Sequence, residues 1–260
     1  MRFFSKAIIG MISFLFTFNA QANIQSWQTI NFISQSFYEV ALGSEYSKGN
    51  HQVRKWVKPI KIFVQHDVGD SKLQNELINA HLNHLANITG LNIQRVNSMQ
   101  KSNIKFFFTN QRNLKKLSDK HSGRDVARVN TQKTCIANIK LNRRSEVSSA
   151  QIYIPVDFAY RNGSLVGCIV EELTQVLGLP RDSEKVYPSI FNDKSTNQLL
   201  TGLDETLIRI LYNPRVKAGM SKKSLSRVLS PVIKQLSNKG YIASANSRVR
   251  KTQLYAMLGY

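Results

Sequence analysis

"GCIVEELTQVLGLPRDSEKVYPSIFND", Gly167 to Asp193, is the stretch on which the reading of this chain turns. Its first half has helical periodicity. Ser164, Cys168, Glu171, Gln175, Gly178 and Asp182 fall on one stripe, and Leu165, Ile169, Leu173 and Val176 fall on the opposite side. The spacing predicts a helix over 165–177, ended at Gly178 with Pro180 just beyond. One side of this helix is apolar and needs a core. The other presents acids, an amide and a thiol.

Glu171 and Gln175 are four residues apart, so their side chains project together, and Glu172 sits roughly 100° further round. This is the frame of the H-E-x-x-H-x-x-G helix of zinc peptidases, with both histidines replaced. Glu171 and Gln175 stand in the histidine places, Glu172 in that of the general base, and Gly178 in that of the glycine. Zinc prefers imidazole and thiolate, whereas Glu, Gln and Asp oxygens suit calcium, magnesium or manganese. No metal or other cofactor is therefore assigned, zinc is not expected, and a hard cation remains compatible with these residues. The competing reading is a solvated helix face carrying two ordinary carboxylates. His81 and His84 are three apart on another predicted helix. An H-x-x-H pair can bind a metal, but a satisfied, half-buried pair is the commoner arrangement.

The N-terminus, "MRFFSKAIIGMISFLFTFNAQA", has a basic start, an apolar run from Ala7 to Phe18 and a small-residue ending. It reads as a signal peptide cleaved after Ala22, with an uncleaved anchor as the alternative. No later segment has a membrane-spanning apolar length. The expected address is the periplasm or the extracellular medium. The chain carries 36 basic against 16 acidic residues; loss of 1–22 removes Arg2 and Lys6 and leaves a formal charge of +18. In an exported protein such a charge points to an envelope peptide or an anionic polymer rather than nucleic acid. The basic residues are scattered, so a solvated surface is the plainer reading. Two cysteines, Cys135 and Cys168, are expected to form a disulfide in an oxidising compartment, contributing on the order of 3 kcal/mol. A nucleophilic Cys168 is the alternative.

Along the chain, 27–42 reads as a helix, "RKWVKPIKIFVQ" as a strand alternating at Val57, Ile60, Ile62 and Val64, and 72–87 as a long helix capped by Asp70 or Ser71 and ended at Gly90. "LNIQRV", "NIKFFFT" and "SAQIYIP" are further strands. Residues 110–148 read as irregular, apart from a short helix near 114–117. Helices are expected over 197–212 and 222–236, the second with a kink at Pro231. The last twenty residues are expected to pack loosely. The order gives an α+β fold: one domain over 23–220, then a C-terminal helix and basic tail over 221–260, with strands before the motif helix and helices only after it.

"CIVEELTQVLGLPRDSEKVYPSIFND" followed by "LDETLIRILYNPRVKAGM" resembles the domain-of-unknown-function family 2927 over about 35–220. The motif is long and specific; it departs at Arg181 and Asn213, neither a candidate ligand. The resemblance implies an exported protein. The element order is similar to the N-terminal lobe of zincin-type peptidases, a mixed sheet with a backing helix and then the motif helix, followed here by an all-helical lobe. In such peptidases the chain after the helix turns back beneath the site. By that analogy Ile190 and Phe191 should pack under Leu173 and Leu177, with Asn192 and Asp193 forming a turn and Asp193 capping the next turn or helix. Three functions stay open: a hydrolase of envelope peptide or polymer with Glu172 as base and Glu171, Gln175 and Asp182 orienting substrate; a non-catalytic binding module using the same cleft; and a glycan hydrolase pairing Glu172 with Asp182.

Overall fold

The computed structural model describes residues 26–43, 52–122 and 135–260. The expected signal peptide lies outside them. The fold is α+β, built on a mixed five-stranded sheet.

Helix α1 (Ile30–Leu42) buries Ile33, Phe37, Val40 and Ala41, and the Thr29 hydroxyl accepts from Phe32 N at its start. Strand β1 (Ile60–His66) follows an extended lead-in; Val57, expected in the strand's alternation, is exposed instead. Helix α2 (Ser71–Thr89) starts at Asp70, whose carboxylate accepts from Lys72 N and Leu73 N, and ends at Gly90 with φ +70°. Strands β2 (Ile93–Arg95) and β3 (Ile104–Thr109) come next. After them the expectation of an irregular segment fails at both ends. Residues 111–122 form helix α3 (Gln111–Ser122), and 136–141 form strand β4 (Ile136–Leu141), which turns at Asn142–Glu146 into β5 (Val147–Pro155). The physical reason is that β4 is a half-exposed edge strand with Asn138 and Lys140 in it. Its pairing with β5, rather than its own composition, makes it a strand.

The sheet order is β2-β1-β3-β5-β4, with β4 alone antiparallel. The apolar run "FFF" in β3 is explained by its central place. Phe106 and Phe108 enter the main core with Ile152 and Ile154, while Phe107 and Tyr153 stack on the other face over Leu114 of α3 and Ile136. Each such ring contributes roughly 1.5–3 kcal/mol by leaving water, so both faces of the sheet are held.

A short helix, α4 (Val156–Arg161), leads into the motif helix α5 (Leu165–Gln175). Helix α6 (Gly202–Leu211) starts five residues later than expected, because Thr201 and Asp204 form a capping box there. Helix α7 (Lys222–Asn238) contains Pro231 on its exposed side. The last twenty residues do not pack loosely. They form α8 (Ala245–Arg250) and α9 (Gln253–Met257), and Ile242, Ala245, Val249 and Leu254 are buried. The carboxylate of Glu205, 1 % exposed, accepts from both Arg209 and Arg248 and ties this end to α6. That anchor is a long-range pairing, invisible in the local composition.

Candidate functional site

The predicted stripe of α5 opens on a cleft of about 490 Å³. Ser164, Cys168, Glu171, Glu172 and Gln175 line it, and Asp182, expected on the same stripe, joins them from the chain beyond the helix. The returning loop adds Ile190, Asn192 and Asp193, and the segment 195–198 completes the wall. Cys135 and Cys168 form the expected disulfide with Cα atoms 5.9 Å apart, joining the start of β4 to α5 at the cleft's edge. A nucleophilic Cys168 is thereby ruled out.

Glu172 is 7 % exposed and Gln175 8 %, while Glu171 is half-buried. Oxygens of Glu171, Asp182 and Asp193 all lie within 4.8 Å of one another. Gln175 Nε2 donates to Asp182 Oδ1 at 2.8 Å, so the amide orients one of these acids. The cluster is an oxygen donor set that could hold a hard cation. Among the described residues that line the cleft there is no imidazole and no free thiol, the ligands zinc prefers. The cleft's thiols are in the disulfide, and His81 packs against α5 through Val170 and Thr174, neither of which lines the cleft.

His81 is fully buried, with Nε2 3.1 Å from both the Val170 carbonyl and the Thr174 hydroxyl. Burial first, then nearby His84, depresses its pKa to about 3. It is therefore a neutral donor that fixes the back of the motif helix. The histidine pair belongs to the packing.

Gly178 does not line the cleft. Its φ is +122°, and a Cβ there would lie 2.0 Å from the Arg54 carbonyl oxygen. The glycine lets the chain leave α5 against the 53–56 segment. The end of the helix is closed by side chains: Trp56 Nε1 donates to Val176 O and the Tyr212 hydroxyl to Leu177 O, both at 2.8 Å. These are two of the carbonyls a helix end leaves without partners.

The loop "SIFND" is tied from two directions. Asn192 Nδ2 donates to Glu184 O and Val186 O at 3.1 Å, and Ser183 N to Phe191 O at 2.8 Å. Phe191 is fully buried in the core that holds Leu173 and Leu177. The capping role expected of Asp193 falls instead to Asn192, whose side chain accepts from Lys194 N at 3.0 Å. Asn192 is the residue whose amide faces the loop's own backbone, which leaves Asp193 exposed at the cleft.

Asp204, which the sequence reading passed over, holds the loop from α6. Ser189 Oγ donates to its carboxylate at 2.5 Å, Ile190 N at 3.2 Å and Thr201 N at 2.8 Å. Its burial pushes the carboxyl up to about 6, although these donors favour the charged form. The spacing of Thr201 and Asp204 is a capping-box signature, and it was the signal that could have located both this residue and the true start of α6.

The family model described as "Protein of unknown function (DUF2927)" matches residues 31–231. The chain belongs to that family. No curated protein matches it.

Proposed function

We propose that this is an exported, zincin-like protein whose cleft takes envelope peptide, and that Glu172 serves as general base in its hydrolysis. The observation that carries the reading is a nearly buried carboxylate, Glu172, opening on the same cleft as three clustered acids. Water gives a proton to Glu172 as its oxygen bonds to the peptide carbonyl carbon. The C–N bond then breaks, and Glu172 returns that proton to the departing nitrogen. Glu171, Asp182 and Asp193 orient the polar groups of the substrate, directly or through a hard cation they would hold. Such a cation would polarise the carbonyl.

Several features support the parts of this reading. The frame E-E-x-x-Q-x-x-G, with a sheet and backing helix before it, supports the zincin likeness. Strand β4 is the sheet's edge, anchored to the cleft by Cys135; such an edge suits an extended peptide. The N-terminal sequence, the disulfide and the lack of any membrane-length apolar helix among the described residues support export.

A second reading, a non-catalytic module for envelope peptide or an anionic polymer, is favoured by Gln175. Its amide fixes Asp182 as an acceptor, an arrangement suited to holding a ligand. One experiment separates the two. Purified protein and its Glu172→Gln variant are incubated with envelope-derived peptides, and products are followed by mass spectrometry alongside binding. Cleavage by the parent, reduced about 10²–10⁴-fold in the variant, is the expected result. Binding by both proteins with cleavage by neither would replace the enzyme reading with the binding module.

A further inference from the structure

Beside the acidic cleft lies a second cavity of about 610 Å³. Val166 of α5 and Leu199 form part of it, and Arg250, Tyr255, Leu258 and Tyr260 from the C-terminal lobe form the rest. Thr196, Asn197 and Gln198 line both spaces, so this short segment is the wall the two share. The two spaces differ in chemistry. The cleft has Glu171, Glu172, Asp182 and Asp193; among the described residues the second cavity is lined by no acidic side chain, by several apolar and aromatic groups, and by one cationic side chain.

That cation is free to meet a ligand. Arg250 is exposed, and among the described residues it makes no ion pair with a carboxylate. The neighbouring Arg209 and Arg248 both pair with Glu205. The aromatic wall is held in place: the Tyr255 hydroxyl donates to Leu200 O at 2.9 Å, and its ring meets that of Tyr260 edge-on at 5.9 Å. Aromatic side chains fixed in this way suit an apolar or aromatic group.

We propose that the second cavity receives the C-terminal residue of a peptide. An apolar or aromatic side chain lies against Tyr255, Leu199 and Val166, and its free carboxylate meets Arg250. The rest of the peptide runs past 196–198 into the acidic cleft. A ligand with an anionic end and a neutral or cationic body matches both charge patterns at once. This deepens the reading of the cleft as a peptide site and rests on it for the direction of the chain. The cavity's own preference stands apart from any catalysis.

The test uses the full mature chain and two small probes, N-acetylphenylalanine and its uncharged amide. Binding is followed by backbone amide shifts in NMR titrations of the parent, Arg250→Gln, Arg250→Lys and Lys234→Gln proteins. The acid should shift residues 196–199, Val166 and Tyr255, and bind about fivefold more tightly than the amide, the size expected of one exposed charge pair. Arg250→Gln should remove that preference, and Arg250→Lys should retain part of it. Lys234→Gln should leave it unchanged, because Lys234 is an exposed residue of α7 that lines neither space. Equal binding of acid and amide by the parent, shifts confined to other regions, or a preference surviving in Arg250→Gln would each overturn the proposal. A preserved acid preference in a protein that cleaves no peptide would count against the hydrolase alone.

Discussion

Ser189 Oγ donates to the buried carboxylate of Asp204 across 2.5 Å, and this bond joins the loop that lines the cleft to the first turn of α6. Ile190 N and Thr201 N use the same carboxylate. The cleft wall is thus positioned from a helix that contributes nothing to the cleft itself.

Asp204→Ala should strip an acceptor from three buried donors. Each unsatisfied group costs about 1–3 kcal/mol, so the variant should lose at least about 3 kcal/mol in urea unfolding. Asp193→Asn, at an exposed site, should change stability by less than about 0.5 kcal/mol. Similar losses for the two would show that Asp204 is not the loop's anchor.

Gly178→Ala places a methyl group 2.0 Å from Arg54 O at φ +122°. Backbone strain and overpacking together predict a loss of roughly 2–4 kcal/mol. An unchanged unfolding midpoint would mean that the turn after α5 can relax away from the 53–56 segment.

Replacing Cys135 and Cys168 by serine opens a loop whose ends are 33 residues apart. The expected loss is about 4 kcal/mol, chiefly from a freer unfolded chain. Thiol labelling of the unreduced parent should find no reactive cysteine. Two titratable thiols in that material would contradict the pairing.

Acid should destabilise the fold through His81. Its folded pKa of about 3 lies below the ordinary 6.5. Below pH 6.5 the unfolded chain therefore binds a proton that the folded chain refuses, and stability falls as pH falls from about 6.5 toward 3. Between pH 7 and 5 this amounts to about 2 kcal/mol. His84, lowered to about 4 mainly by burial, acts in the same direction. Asp204, raised to about 6, acts oppositely: its contribution is present below the ordinary 3.8 and is lost as pH rises through about 6. Chemical unfolding at pH 7 and 5 should show a smaller acid loss in His81→Gln than in the parent. Equal losses would remove His81 from the account.

Protein prepared without chelator should carry far less than stoichiometric zinc, measured by plasma mass spectrometry. The cleft offers carboxylates and an amide where zinc prefers imidazole or thiolate. Stoichiometric zinc that disappears in Glu171→Gln or Asp182→Asn would defeat the donor argument.

Much was legible in the sequence because its signals are local. The stripe Ser164, Cys168, Glu171 and Gln175 needs only helical spacing to share a surface, and all four line the cleft; Asp182, beyond the end of α5, reaches the cleft through the turn at Gly178. The pairing of two cysteines, the start of α2 at Asp70 and the central place of "FFF" likewise rest on short-range pattern or simple count. What only the tertiary structure decided depends on partners distant in sequence. Strand β4 exists through its pairing with β5, and the final twenty residues are ordered by Glu205 and a shared core. The role of Gly178 comes from the Arg54 carbonyl, the setting of "SIFND" from Asp204, and the acid cluster from bringing Asp193 back to Glu171 and Asp182. Helical periodicity fixes which side chains share a face. Only chain closure over tens of residues decides what that face meets.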